Sequence, residues 1–313
     1  MYFLMTADVE SFSIPLNKCD LNTAREVCEI GLPRLLELLS KHDVQGTFYF
    51  TGEIVEAFPE SVEIVVEDGH EIGCHGYDHS PEKAFDSLSY EEQVKELIKA
   101  RETIESIAGK IESFRAPMLR INKDTVKALE KTGFKSDSSV APQRFDGPFT
   151  FGSKRKLKWL IAPRRPYYLS YSSPIKRGRS SVLEVPISAL IVPYIGTAMR
   201  ISPILFKIIQ KILFIESKVT DKPIVFLFHP NECLDVHQIA TTRRASNLPE
   251  YLFADILRQK MKLRNLGVQS LKLLDEVLSI AKKHDFEFIR MKKYRKIYRR
   301  MTKNGNSRSH EER

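Results

Sequence analysis

The sequence predicts an α/β fold in which βα units surround a parallel sheet, either open or closed into a barrel. Short apolar runs that favour strands alternate with amphipathic helical patterns over most of the 313 residues. That length is normal for a single α/β barrel. A hydrophobic content of 42% and a charged content of 28% are typical of a soluble globular protein with a full core.

Eight segments are candidate strands because they are short, apolar and bounded by polar or turn-forming residues. They span residues 2–7, 46–51, 70–74, 112–116, 134–138, 181–187, 223–228 and 286–291. Amphipathic helices are predicted between the early strands, over 24–42 and 89–109.

A further helix is predicted over 201–216, with Ser202 as its N-cap and Pro203 as its first residue. Its polar stripe is narrow and consists of Lys207, Gln210 and Lys211. This pattern favours a mostly buried core helix, and a helix lying on a membrane surface is the alternative. No apolar run reaches the ~18 residues that a membrane span needs.

Two regions depart from the alternation. Residues 147–183 contain no acid and many cations, interleaved with aromatic residues such as Trp159 and Tyr167. We interpret them as a solvated basic insertion or as a substrate-facing lobe, in which those two rings would stack on sugars and the cations would bind phosphate or carboxylate. The basic residues 294–313 are predicted to be a disordered tail, which leaves 1–293 as one domain.

Charge and cysteine content bear on partners and location. The net charge of +9 favours an anionic partner: nucleic acid, a phosphorylated sugar or a membrane surface. The four cysteines form no CxxC pair, and Asp8 ends the first apolar run too early for a signal peptide. We expect a cytoplasmic protein with peripheral contact to the anionic inner face of the membrane and with no specific nucleic acid partner. The oligomeric state stays open.

Two acids follow the first predicted strand, in "TADVES". Side chains at positions i and i+2 of an extended segment point to the same side, so Asp8 and Glu10 can converge on one site. Two carboxylates at the end of an apolar strand are costly unless a cation compensates them. A helix cap or a loop acid is the alternative interpretation.

The segment "HGYDH" places His75 and His79 four residues apart, as two metal ligands on a helical turn or a tight loop would be. The strand before them delivers both to the sheet edge where Asp8 and Glu10 are expected. Two imidazoles and one carboxylate leave a coordination position open, which is typical of a catalytic zinc site. Two neighbouring surface histidines are the alternative, and His70, which precedes the strand, is interpreted as structural.

Three more polar residues lie at candidate strand ends: Arg115 in "SFRAPML", Asp137 in "KSDSSV" and His229 in "PIVFLFHP". Each alone could be a surface arginine, an Asx turn or a core histidine. Together they predict an active site, because βα enzymes assemble such sites at the carboxyl ends of successive strands.

In order along the chain, "TADVES", "HGYDH", "RAP", "DSS" and "LFH" resemble the five motifs of the NodB-type polysaccharide deacetylases, carbohydrate esterase family four. The D-V-E start and the late "HPNE" resemble one subgroup of that family. The resemblance extends over nearly the whole chain, and five ordered motifs are far more specific than any one. It implies a distorted (β/α) barrel of about seven parallel strands, with residues 1–293 as a single catalytic domain.

The resemblance also implies a metal site. His75, His79 and one acid of the first motif would bind one divalent ion, usually Zn²⁺, with Co²⁺, Mn²⁺ or Ni²⁺ as alternatives. Asp8 aligns with the first aspartate of the family motif, which implies that Asp8 is the general base and Glu10 the ligand. Val9 separates the two acids where the family has adjacent aspartates, so their roles could be exchanged.

The remaining motif residues take their roles from the same resemblance. Arg115 would hold the base ionised and oriented, and Asp137 would set the state of His229, the general acid. A backbone N–H near Pro117 and Met118 would face the oxyanion. Met118 stands where the family commonly has tyrosine, and the tryptophan often found near the aspartate motif is absent, which leaves the acyl pocket open.

The implied reaction is metal-assisted hydrolysis of an N-acetyl or N-formyl group from an amino sugar in a glycan, nucleotide-linked or lipid-linked form. One alternative is an amidohydrolase that uses the same barrel on a non-sugar amide such as a ureide. Another is a non-catalytic sugar- or nucleic-acid-binding relative. The complete set of acids and histidines disfavours the latter, since a binding module has no need for them.

Overall fold

The structure, a computed structural model, describes residues 1–142, 159–236, 248 and 251–311, with side chains for all of these except 253–255 and 303–311. The strands, in chain order, are β1 Tyr2–Val9, β2 Phe12–Ser13, β3 Lys18–Cys19, β4 Thr47–Phe50, β5 Glu71–Cys74, β6 Ser113–Phe114, β7 Ser136–Asp137, β8 Tyr167–Ser170, β9 Ser173–Arg177, β10 Leu183–Glu184, β11 Ala189–Leu190, β12 Val192–Pro193, β13 Ile224–Phe228 and β14 Glu287–Phe288.

Helices connect the strands and cover the sheet. The α-helices are α1 Leu21–Glu26, α2 Leu32–Lys41, α3 Gly52–Ala57, α4 Glu60–Glu67, α5 Tyr90–Ala108, α6 Lys123–Lys131, α7 Gly196–Ile201, α8 Pro203–Thr220, α9 Arg258–Lys262, α10 Val268–Lys283 and α11 Met291–Glu311. Single turns of 3₁₀ helix lie at Pro81–Lys83, Pro117–Leu119 and Pro230–Cys233, and π-helical segments at Val27–Gly31 and Tyr251–Leu257.

Seven strands of the described residues lie side by side in one curled parallel sheet, in the order β13-β1-β4-β5-β6-β7-β10. The antiparallel strands β8 and β9 extend it beyond β10, and β14 pairs with the start of β1. The predicted distorted barrel of about seven parallel strands is therefore confirmed, and each of the eight predicted strands overlaps an observed one.

Irregular backbone links the two ends of the seven-stranded row. Ser188, four residues beyond β10, donates its N–H to the carbonyl of Val225 in β13 at 3.0 Å. Ile195 forms an isolated parallel bridge to Leu227 of the same strand. The sheet therefore curls without a regular ladder of hydrogen bonds between β10 and β13, and this irregular link is what distorts the barrel.

The register of the central strands positions the site. β1 is buried along almost its whole length, as expected of a parallel strand with neighbours on both sides. Ala7 lies opposite Phe228 and Asp8 opposite Tyr49, while Phe114 lies opposite Asp137. The carboxyl ends of these strands therefore lie along one edge of the sheet, and the residues that follow them meet there.

Helix α8 begins at Pro203 as predicted, but the side chain of Ser202 makes no capping hydrogen bond. The prediction of a mostly buried helix is wrong. Phe206, Ile209 and Leu213 pack into the core, whereas a second apolar face that includes Ile208 remains exposed. Among the described residues, no helix is long and apolar enough to cross a membrane.

The two unusual regions also differ from expectation. The described part of the basic insertion forms the hairpin β8–β9, which pairs with β10; its residues 147–158 lie outside the described part. The tail predicted to be disordered from residue 294 is instead helical within α11. Tyr294 is buried in a small cluster with Leu4 and Val225, and Tyr298 packs against that cluster, so the tail has an apolar face that the charge pattern concealed.

Candidate active site

The end of β1 carries a carboxylate that a buried arginine holds in place. Nη1 of Arg115 lies 2.8 Å from Oδ1 of Asp8 and also donates to the hydroxyl of Thr6 at 3.0 Å. Nε and Nη2 of the same guanidinium donate to the carbonyl and the hydroxyl of Ser138. The ring of Tyr49 lies 4.4 Å from the guanidinium carbon. Arg115 is fully buried, so Asp8 has a fixed cationic partner on its Oδ1 side.

The histidine pair lies on a loop, the second of the two geometries that its spacing allowed. Gly76 adopts a positive φ of 75°, and a Cβ there would lie 3.1 Å from the ring of Pro117. Oε1 of Glu96, from α5, accepts the backbone N–H groups of Tyr77 and Asp78 at 3.2 Å each. These contacts fold the loop so that His79 returns to the sheet edge.

Glu10, His75 and His79 converge on one point. Oε2 of Glu10 lies 2.7 Å from Nε2 of His79 and 3.3 Å from Nε2 of His75. One ligand atom from each of the three residues lies within 4.8 Å of the others, and all three side chains are buried. This group could hold a metal ion.

The donor set fits a divalent ion. Nδ1 of His75 lies 2.8 Å from the carbonyl of Arg115, and donating to it leaves the lone pair on Nε2. That Nε2 is buried and makes no hydrogen bond to any described residue, as expected of a ligand atom. Two imidazole nitrogens and a carboxylate oxygen are a donor set typical of catalytic zinc.

The charges of this cluster are coupled. Burial opposes ionisation of Glu10, but the neighbouring His79 and His75 outweigh it and hold the pKa of Glu10 well below its usual range. Burial likewise opposes protonation of His79, yet the Glu10 carboxylate raises the pKa of His79 well above its ordinary value. The site therefore favours a carboxylate beside positive charge, which a divalent ion would also supply.

His229 lies on the other side of Asp8 from Glu10, His75 and His79. Its Nε2 is 3.9 Å from Oδ2 of Asp8, and Nε2 of His75 is 3.8 Å from the same oxygen. Asp8 thus lies between the candidate metal ligands and the last histidine. All the predicted catalytic and metal-binding side chains lie at this point except Asp137.

The Nδ1 partner of His229 is Glu232. Oε1 of Glu232 lies 3.0 Å from Nδ1 of His229, and its Oε2 lies 2.5 Å from Nε of the buried Arg200. Burial opposes protonation of His229, but Glu232, Glu10 and Asp8 outweigh it, so the pKa of His229 is raised. Burial also opposes ionisation of Glu232, and Arg200 with His229 nevertheless lowers its pKa.

Asp137 belongs to a different cluster, which corrects its expected contact with His229. It lies opposite Glu184 in the β7–β10 ladder, accepts a hydrogen bond from the hydroxyl of Ser139 and is fully buried. Burial raises the pKa of Asp137 to about 6 and that of Glu184 well above its usual value. One oxygen of each carboxyl has no other hydrogen-bond partner in the described part of the chain, so a proton shared between the two satisfies both.

The segment after Arg115 is strained next to the histidine loop. Met118 has φ 55° and Leu119 has φ 55°, a conformation that costs free energy for residues other than glycine. Pro117 packs against Gly76 of the loop. Strain of this kind commonly accompanies a functional position.

The aromatic pair from the basic insertion does not present free ring faces. Trp159 and Tyr167 are 6% and 1% exposed and lie in the main core, and the hydroxyl of Tyr167 donates to the carbonyl of Pro174. Their predicted stacking on a sugar is therefore wrong for this structure.

Sequence reasoning assigned no role to three buried charged residues: Arg200 and Glu232, which support the site through His229, and Glu184, which pairs with Asp137. A signal existed for each, because an ionisable residue is costly to bury without a partner. Glu184 and Arg200 lie inside apolar runs, "SVLEVPI" and "TAMRISP", and Glu232 lies three residues after His229 in "HPNE". His70 is structural as predicted: its Nδ1 accepts the N–H of Gly46 at 2.9 Å.

Comparison with known proteins identifies related chains. Residues 29–136 match the family profile described as polysaccharide deacetylase. A peptidoglycan deacetylase from Helicobacter pylori is 36% identical over 118 residues, which are 37% of this chain and 39% of that protein. The matched segment thus spans about two fifths of that relative, and the family profile covers His75, His79 and Arg115 but neither the acids of β1 nor His229.

Solved structures share the fold over almost the full chain. A Mycobacterium smegmatis protein classed with the polysaccharide deacetylases superposes with a TM-score of 0.61 at 20% identity, covering 96% of this chain and 91% of that one. The PuuE allantoinase superposes with a TM-score of 0.61 at 14% identity, covering 94% and 89%. At these identities the likeness shows the fold alone. Over residues 29–136 this chain is thus similar to the polysaccharide deacetylases.

Proposed function

We propose that this chain belongs to the D-V-E subgroup of the polysaccharide deacetylase family and is a metal-dependent hydrolase that removes an N-acetyl or N-formyl group from an amino sugar. The observation that carries the proposal is the position of Asp8. Its Oδ1 is 2.8 Å from Arg115, while its Oδ2 is 3.8 Å from His75 on one side and 3.9 Å from His229 on the other. A base, an acid and a metal-ligand set thus face one small space.

Asp8 is the proposed general base. Arg115 occupies Oδ1, so Oδ2 is the oxygen available to take a proton from an attacking water. The guanidinium fixes the direction of the carboxylate, as a base in a buried site requires. The buried guanidinium is itself fixed by Ser138 and by the ring of Tyr49.

His229 is the proposed general acid. Glu232 accepts a hydrogen bond from its Nδ1, which leaves Nε2–H directed to the side of Asp8. From there it can protonate the departing sugar nitrogen, which could not leave as an amide anion. An acid and a base positioned in this way typically contribute about 10²–10⁴-fold each.

Glu10, His75 and His79 would hold the metal, for which we propose Zn²⁺. When bound, such an ion lowers the pKa of water and polarises the amide carbonyl. The backbone N–H of the strained Met118, next to the histidine loop, is the proposed donor to the oxyanion. An N-acylated amino sugar, in a glycan or linked to a nucleotide or a lipid, is the proposed substrate.

The test couples metal analysis to a screen for acetate and formate release. Purified protein would be offered N-acetylglucosamine oligomers, N-formyl amino sugars and a ureide such as allantoin. Metal bound at one equivalent and release from an N-acyl sugar are expected. Release only from the ureide would assign the same site to a non-sugar amide, and an intact metal site without turnover on any N-acyl compound would favour a binding protein.

A further inference from the structure

One face of helix α8 carries an apolar stripe that the fold leaves in solvent. Ile204, Ile208, Ile212, Ile215 and Val219 follow one another at intervals of three or four residues, so they form one line along the helix. Their exposed fractions run from 44% to 79%. The opposite face, with Phe206 and Leu213, is buried. A contiguous exposed stripe of this kind marks contact with another protein or with lipid.

Two further exposed isoleucines lie in segments that are tied to α8. Ile161 and Ile191 are 81% and 75% exposed. Arg164 ties their segments to the helix, because its Nη2 donates to the carbonyl of Ala189 at 3.0 Å and to Oε2 of Glu216 at 2.6 Å. Ile191, at the tip of the β11–β12 hairpin, holds φ 67°, a costly conformation for a β-branched residue. We call the stripe together with Ile161 and Ile191 the apolar face.

Positive charge borders the apolar face. On the helix, Lys211 and Lys218 lie along one edge of the stripe and are exposed. Neither has a carboxylate within 4.0 Å among the residues whose side chains the structure describes. Glu216, the one acid of α8, is already paired with Arg164 and Lys222. The helix therefore presents apolar side chains beside unpaired cations.

We propose that the apolar face docks on an anionic lipid surface, with α8 lying in the plane of the interface. The combination of an apolar face and a lysine edge is that of interfacial helices, which bind by burying apolar area and by attraction to anionic headgroups. A second copy of the chain fits less well. Antiparallel pairing of two stripes would bring both lysine edges to the same side, where they repel.

Docking in this way would place the candidate active site close to the membrane surface. Ile204 follows Arg200 by four residues, and Arg200 holds Glu232 beside His229. One end of the apolar face thus lies near the candidate active site. The docking surface itself does not depend on the deacetylase activity, and it agrees with a cytoplasmic protein at the inner face of the membrane.

Co-sedimentation of the full chain with vesicles tests the proposal. We expect binding to vesicles of phosphatidylcholine with phosphatidylglycerol and little binding to phosphatidylcholine alone. The double variants Ile208→Ser/Ile212→Ser and Lys211→Glu/Lys218→Glu should each partition at least about tenfold less, and tenfold corresponds to about 1.4 kcal/mol. The matched control is Val66→Ser/Ile98→Ser, which removes two apolar residues of 42% exposure from α4 and α5; it should bind like the unchanged protein.

Two kinds of result would overturn the proposal, one from the binding assay and one from the oligomeric state. One is failure of the unchanged protein to bind the anionic vesicles, or binding that the Ile208→Ser/Ile212→Ser variant retains in full. The other is a dimer, seen by sedimentation velocity, that this variant dissociates, because the face then belongs to a second copy. Metal content and thermal unfolding of each variant are measured alongside, so that loss of lipid binding is separated from loss of the fold or of the metal site.

Discussion

Glu232 holds His229 through a 3.0 Å contact between Oε1 and Nδ1, and this carboxylate is itself fixed by Arg200 at 2.5 Å. Glu232 and Arg200 are fully buried. A Cβ on Gly196 would lie 2.6 Å from both oxygens of Glu232, so this glycine leaves the space that the carboxylate occupies. The partner of the proposed acid thus comes from the same loop, three residues later, and not from Asp137.

Replacing Glu232 by glutamine tests this arrangement. The variant keeps the size of the side chain but removes the charge that stabilises protonated His229. We expect kcat to fall about 10- to 100-fold with little change in KM. Because the pKa of His229 is raised partly by Glu232, the alkaline limb of the pH–rate profile should move to lower pH.

The matched control for that variant is Glu276→Gln, which removes a half-exposed carboxylate paired with Lys207 outside the site. It should leave kcat and the profile unchanged. If Glu232→Gln behaves like this control, Glu232 does not orient the acid.

Arg115 and Asp8 should be energetically coupled. Replacing Arg115 by methionine leaves the Asp8 carboxylate buried without its cation, which costs about 3–5 kcal/mol of unfolding free energy. Adding Asp8→Asn to that variant removes the unpaired charge and should recover part of the loss. Urea unfolding of the two single variants and the double variant measures this coupling. Strictly additive losses would mean that the 2.8 Å pair contributes nothing of its own.

His70 makes a separate prediction about stability. Burial lowers the pKa of His70 to about 4 from an ordinary 6.5. Its Nδ1 also accepts the backbone N–H of Gly46, which requires the neutral ring. Above pH 7.5 the residue is neutral in both states and contributes no pH dependence. As pH falls, the unfolded chain binds the proton first, so stability is lost between about pH 6.5 and 4.

The loss attributable to His70 is about 2 kcal/mol between pH 7.5 and 5. The variant His70→Gln keeps an acceptor for Gly46 but cannot titrate. Urea unfolding at the two pH values should therefore show a change about 2 kcal/mol smaller in the variant. An equal change in both proteins would mean that His70 has the same pKa in the folded and unfolded states.

Much of the fold followed from local pattern. The short apolar strands and amphipathic helices alternate in the sequence as they do in the structure, because a parallel strand is buried on both faces. The convergence of Asp8, Glu10, His75, Arg115 and His229 followed from one rule, that parallel strands end at the same edge. These inferences needed no knowledge of side-chain packing.

Other features depend on contacts between distant segments. Asp137 meets Glu184 because β7 and β10 pair in that register, which no local pattern specifies. Helix α8 is apolar on nearly every face, so its sequence could not say which face the core would cover. Trp159 and Tyr167 are aromatic residues in a basic segment, and only packing decides that their rings are buried.

Glu10 and Asp8 have different proposed roles, metal ligand and general base, and metal content measured together with turnover distinguishes them. Purified unchanged protein, Glu10→Gln and Asp8→Asn are compared for bound Zn²⁺ and for acyl release from the best N-acyl sugar. Glu10 lies 2.7 Å from His79 and 3.3 Å from His75, whereas Asp8 is 3.8 Å from His75 and held by Arg115. This division of roles predicts that Glu10→Gln loses the metal and that Asp8→Asn keeps it but loses turnover. Loss of the metal in Asp8→Asn with retention in Glu10→Gln would contradict it.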